Sequence, residues 1–158
     1  MKKLILLSVS IFFLLACEKD DPNNCCTVVN IGVSIKYINE DGENLFQTEN
    51  ALNISDIKVF HKLDSAWEEY FEGNLDHPKG LSELTVEGEK FLNITTSIES
   101  DANHISETKL SFSENDEAII QTELSKSANN TLVEKVWYNG CLKWEREDNV
   151  PRRFTIVK

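Results

Sequence analysis

The sequence predicts an all-β fold, an antiparallel β-sandwich of about seven to nine strands, with a β-barrel as the alternative. Three observations carry this reading. Short stretches rich in Val, Ile, Thr, Phe, Tyr and Trp alternate apolar with polar positions. Asn, Asp and Gly clusters separate these stretches at roughly ten-residue intervals, and helical periodicity is scarce.

The chain opens with Met1-Lys2-Lys3 and an apolar run from Leu4 to Leu15, broken only by Ser8 and Ser10, the layout of a secretory signal. As a helix, such a run would reach about 18 Å against a hydrocarbon core of about 30 Å, so it reads as an address rather than a membrane span. Leu14-Leu15-Ala16-Cys17 resembles the lipobox of bacterial lipoproteins. That resemblance implies removal of residues 1–16 and a diacylglycerol on the Cys17 sulfur, and several acyl chains would hold the protein stably on a membrane. Cys17-Glu18-Lys19-Asp20-Asp21 resembles the export signal of surface lipoproteins in the Bacteroidota. Lys19, Asp20 and Asp21 would then direct the protein to the outer membrane facing the exterior, the periplasmic face being the alternative. Residues 17–26 carry little to bury and read as the lipidated N-terminus and tether, leaving 27–158 as one β-sandwich domain.

From Thr27 onward, Val29, Ile31, Val33, Ile35 and Tyr37 alternate with Asn30, Gly32, Ser34 and Lys36, placing one apolar row against a core. Asn39-Glu40-Asp41-Gly42 ends this strand. Ile57 to Leu63 resumes β character, Asp64-Ser65 reverses the chain, and Ala66 to Phe71 supplies the hairpin partner. After a loop over Asn74 to Gly80, Leu84 to Val86 and Lys90 to Ser97 flank Glu87-Gly88-Glu89 as a second hairpin. Thr108 to Phe112 and Ala118 to Leu124 form a third pair, although Ala118 to Ser127 also reads as a short helix. Thr131 to Tyr138 follows. Asn139-Gly140 joins Val136-Trp137-Tyr138 to Cys141-Leu142-Lys143-Trp144, and Asn-Gly accepts the positive φ angles of a two-residue primed turn. Arg153 to Lys158 alternates again as a last strand docked in a sheet.

Charge narrows the functional classes. Loss of residues 1–16 removes Lys2 and Lys3 and no acid, so the 142 remaining residues carry 14 basic against 27 acidic side chains, a net charge of −13. Such a surface repels nucleic acid and anionic headgroups. Cys25, Cys26 and Cys141 remain in an oxidising compartment and cannot all pair within one chain, so one is left over or the two neighbours pair together; a bond from Cys141 to Cys25 or Cys26 is the favoured expectation, closing a loop worth roughly 4 kcal/mol in the chain-entropy model. His61, His77 and His104 are far apart with no metal-ligand spacing, so neither a metal nor another cofactor is expected. Asp41-Gly42-Glu43-Asn44 and Glu114-Asn115-Asp116-Glu117 gather oxygen atoms without the spacing of a calcium loop. No Gly-x-Ser-x-Gly nucleophile elbow and no phosphate-binding Gly-Lys loop occurs.

The residues best suited to holding a ligand are Trp67, Tyr70, Trp137, Tyr138 and Trp144, because aromatic faces stack on sugar rings at low entropic cost. Alternation requires some of them to face the core. Asp64-Ser65-Ala66 resembles the O-glycosylation motif of the Bacteroidota, which implies a glycan on Ser65. The Asp41 to Phe46 turn, the Trp137-Tyr138-Asn139-Gly140 hairpin and the Arg153 to Lys158 ending, behind a tether, are together similar to small surface lipoproteins of the Bacteroidota. The resemblance implies a β-sandwich on the outer membrane and, that group having no general assigned chemistry, nothing about catalysis. The expected function is a non-enzymatic binding or accessory module for an external glycan or protein. The alternatives are a small hydrolase with paired carboxylates, such as a glycosidase, and a purely structural envelope protein.

Overall fold

The computed structural model describes residues 27–148 and 150–158. The leader, the tether, Cys17, Lys19, Asp20, Asp21, Cys25 and Cys26 lie outside the described residues.

The first alternating run forms two strands rather than one, β1 (Val28–Asn30) and β2 (Gly32–Ile38), because the chain leaves one sheet and joins another at Ile31. Its apolar row supplies the centre of the core: Val33, Ile35 and Tyr37 are fully buried. Burying each such side chain stabilises the fold by about 1.5–3 kcal/mol. A single 3₁₀ turn, Ile54–Asp56, capped by the Asn53 side chain, then leads into a hairpin of β3 (Lys58–Leu63) and β4 (Ala66–Glu69). The following strands are β5 (Leu81–Val86), β6 (Glu89–Thr95), β7 (Ile105–Ser113), β8 (Asp116–Lys126), β9 (Asn130–Tyr138), β10 (Cys141–Glu145) and β11 (Arg153–Val157).

They form two sheets in a curled sandwich that is partly barrel-like. The larger sheet runs β1-β9-β8-β7-β3-β4, with β10 also on β9, and the smaller runs β11-β2-β6-β5. The eleven strands among the described residues exceed the expected seven to nine, in part because the first run divides. Among the described residues two pairings are parallel, β1 with β9 and β11 with β2, and the strand order puts the last strand at an edge of the smaller sheet. The segment from Ala118, with its competing helical reading, is an eleven-residue strand whose alternate residues Ala118, Ile120, Thr122 and Leu124 are buried.

The expected disulfide is corrected by the structure, in which Cys141 is a free, exposed thiol. The register supplies the reason. Val28 pairs with Asn130 at the start of β9, whereas Cys141 pairs with Tyr138 at its far end. Those positions are about 26 Å apart along a strand, and the two or three residue steps from Val28 back to either cysteine reach about 10 Å at most.

Candidate functional site

Strand pleating sorts the five aromatic candidates. On β9 and β10, Tyr138 and Trp144 turn inward and are buried, Tyr138 beside Ile120 and Trp144 beside Val136 in the strand register. Tyr70 packs from β4's end against the core and stacks on His61, ring centroids 4.3 Å apart. It also closes on Gly80, where a side chain would meet the Tyr70 ring at 3.0 Å and the backbone φ is +66°. Trp67 and Trp137, by contrast, are half-buried on the outer face of the larger sheet.

That face carries one continuous cross-strand row. Trp67 on β4 is opposite Lys62 on β3; the Lys62 ammonium bonds Glu107 on β7; Glu107 is opposite Gln121 on β8; Gln121 is opposite Trp137 on β9; and Trp137 is opposite Leu142 on β10. At about 4.8 Å per strand, the two tryptophans are about 19 Å apart. The polar centre is organised by hydrogen bonds to one carboxylate: Lys62 Nζ donates to Glu107 Oε2 and Gln121 Nε2 to Oε1, the latter at 3.0 Å. Lys62 and Lys109 place ammonium groups 5.8 and 5.4 Å from the Trp67 ring centre, and Lys109 also lies 4.7 Å from that of Phe60. Leu142, next to Trp137, is 51 % exposed.

A cavity of about 700 Å³ opens on the same row, lined by Lys62, Glu107 and Gln121 from the sheet and by Asp64, Glu99 and Asp101 from adjoining loops. Its size falls within the range of small-ligand sites. Asp101 is held below the usual carboxylate range by the Ile105 N–H and by Asn103 through its backbone and side-chain amides. It is thereby kept ionised and committed to shaping its own loop. Glu107, both oxygens engaged, accepts bonds in place. A general acid needs the opposite of the Asp101 setting, a carboxyl that keeps its proton near neutral pH.

Ser65 is exposed in the Asp64-Ser65 turn, with Asp64 at φ 53°, beside this cavity. His61 lies on the inner side of β3, where burial pushes its imidazole below the ordinary value against a weaker opposing bond with the Thr95 backbone. Among the described residues, no group of three or more His, Cys, Asp or Glu side chains is placed to hold a metal ion.

The sequence reading singled out the aromatics and the Asp64 turn but not Lys62, Glu99, Asp101, Glu107 or Gln121. The signal for the sheet residues is the alternation of β3, β7 and β8, whose outward positions are Phe60 and Lys62, Glu107 and Lys109, and Ile119 and Gln121. Which outward row meets which depends on register between strands up to 45 residues apart in sequence. No family model, no curated protein and no solved structure matches this chain.

Proposed function

We propose that this chain is a lipoprotein anchored through Cys17 to the outer surface of the outer membrane, and that the outer face of its larger sheet binds an external glycan without catalysing a reaction. The observation that carries the binding reading is the Trp67–Lys62–Glu107–Gln121–Trp137 row beside the cavity. A sugar ring offers an apolar face to an indole and a rim of hydroxyls to charged and amide groups, and this row presents both along a length suited to a short oligosaccharide. Trp137, next to exposed Leu142, is the stacking residue; Gln121 and Glu107 are the hydroxyl partners. The lipobox resemblance and the Lys19-Asp20-Asp21 signal support the anchor and its outward orientation.

The competing hydrolase reading has one observation in its favour, the convergence of Asp64, Glu99, Asp101 and Glu107 on one cavity. The bonding of Asp101 and Glu107 favours a fixed recognition surface over proton transfer.

Two measurements test the proposal. Protease treatment of intact cells should remove the protein while a periplasmic control survives; protection would place it on the periplasmic face. A glycan array probed with the full chain should yield hits that W137A weakens by about tenfold or more, a loss of about 1.4 kcal/mol, with the circular dichroism unchanged. Hits untouched by W137A would remove the binding face from this row. Release of shortened glycan from a hit would establish the hydrolase instead.

A further inference from the structure

The chain contains three arginines, Arg146, Arg152 and Arg153, and all three line one cavity of about 460 Å³ where Gly32, Ser34 and Leu84 of the smaller sheet meet Leu132 and Trp144 of the larger. Lysine serves as the general surface cation: of the nine ion pairs among the described residues, only Arg146 with Glu134 uses an arginine. Arginine is confined to this one place in a strongly acidic protein. Its planar fork of donors suits tetrahedral and planar oxyanions better than an ammonium does.

The three side chains have different duties. Arg152 Nη1 donates to the Gly32 carbonyl at 2.6 Å and reaches the Asn30 carbonyl and side-chain oxygen at 3.3 Å, latching the loop before β11 to the point where β1 passes into β2. Its guanidinium lies 4.9 Å from the centre of the buried Trp144 ring, which fixes its plane. Its Nε, also buried, has no partner. Arg146 bonds Glu134 at 2.9 Å, and Arg153 lies over Phe91 with its guanidinium 5.7 Å from the ring centre. Neither Arg152 nor Arg153 has an acidic partner within ion-pair distance among the described residues. Glu147 at the rim offsets part of the charge without cancelling it.

We propose that this cavity is a binding site for a phosphate group, held between Arg152 and Arg153 with Arg146 at its edge. Two guanidinium groups without counter-ions lining one cavity, those of Arg152 and Arg153, make a site that an oxyanion completes. Leu84 and Val150, both exposed at the rim, offer contact to an apolar portion of the ligand. The phosphate has two possible sources, a free or sugar-borne phosphate and a lipid headgroup. The second draws on the anchor reading, since Asn30, in the cavity wall, is only thirteen residues beyond Cys17.

Three arginines give only three side-chain Nε–H signals, so nitrogen–proton spectra of the full chain in a neutral detergent read the site directly. Inorganic phosphate, and separately dihexanoyl phosphatidic acid below its micelle concentration, would be titrated against sodium chloride at matched ionic strength. The expected result is a saturable shift of the Arg152 and Arg153 signals that chloride does not produce, with R153Q weakening it about fivefold or more. Saturation by inorganic phosphate assigns the free group as sufficient; saturation by the lipid alone assigns the headgroup as the source. No saturable shift with either probe overturns the site, as does an R153Q chain of native spectrum that binds equally well. Should R153Q fail to fold, R146Q and the wild-type comparison with chloride decide. The outcome is independent of the protease and glycan tests.

Discussion

His61 illustrates how a single residue's surroundings set a measurable property. It stacks on Tyr70 inside the sandwich, and burial disfavours its charged form in the folded state. The unfolded chain therefore takes up a proton first, near the ordinary value of about 6.5. The stability this neutral imidazole contributes is present above about pH 6.5 and is lost as pH falls from there toward the lower folded value. Chemical denaturation between about pH 7.5 and pH 5 should show the wild type losing stability that H61F keeps, while both lose the common carboxylate contribution at lower pH. Parallel curves for the two chains would mean that His61 is solvated in the native state. At the same scale, Ser106 and Thr122 satisfy one another in the interior at 2.6 Å, and the Thr108 hydroxyl accepts from the Ser97 N–H at 2.8 Å. These pairs let hydroxyl-bearing residues occupy core positions without unpaired groups.

Among the elements, the β9–β10 hairpin is the most local in origin. Asn139 and Gly140 adopt φ of 48° and 79°, the primed turn that their identities favour. The Asn139 side chain also accepts from the Ile119 N–H at 2.8 Å, tying the turn to β8. A side chain at Gly140 would meet nothing within 4 Å, so G140A isolates the backbone term. It should cost about 1–2 kcal/mol in urea denaturation, with the slope against denaturant unchanged. A cost near zero would show that the turn relaxes to another type. The hairpin also carries Trp137 outward and Tyr138 inward, so its register decides which aromatic is offered to a ligand.

For the whole molecule, charge is the dominant collective property. The full chain carries −11, and its ion pairs are mostly between solvent-accessible lysines and acids, each worth little. Long-range repulsion among the surplus acids therefore outweighs them. Raising sodium chloride from about 20 to about 300 mM should raise the melting temperature, because screening weakens the repulsion more than it weakens contact pairs. A fall in melting temperature would mean that the surface pairs carry more than their exposure allows.

Local pattern determined much of this protein. Alternation in Val33-Ser34-Ile35-Lys36-Tyr37, the Asp64-Ser65, Glu87-Gly88 and Asn139-Gly140 turns, and the period of two in β11 all follow from residues within a few positions of one another, where propensity and pleat act directly. The division of the first run at Ile31, the parallel pairings, the separation of Cys141 from Val28 and the faces of the five aromatics depended on contacts between distant strands. So did the row from Trp67 to Trp137 and the gathering of Arg146, Arg152 and Arg153 around Gly32. The sequence states which side of its own strand a residue occupies; only the register between strands, settled by packing the whole core, states which neighbours it meets.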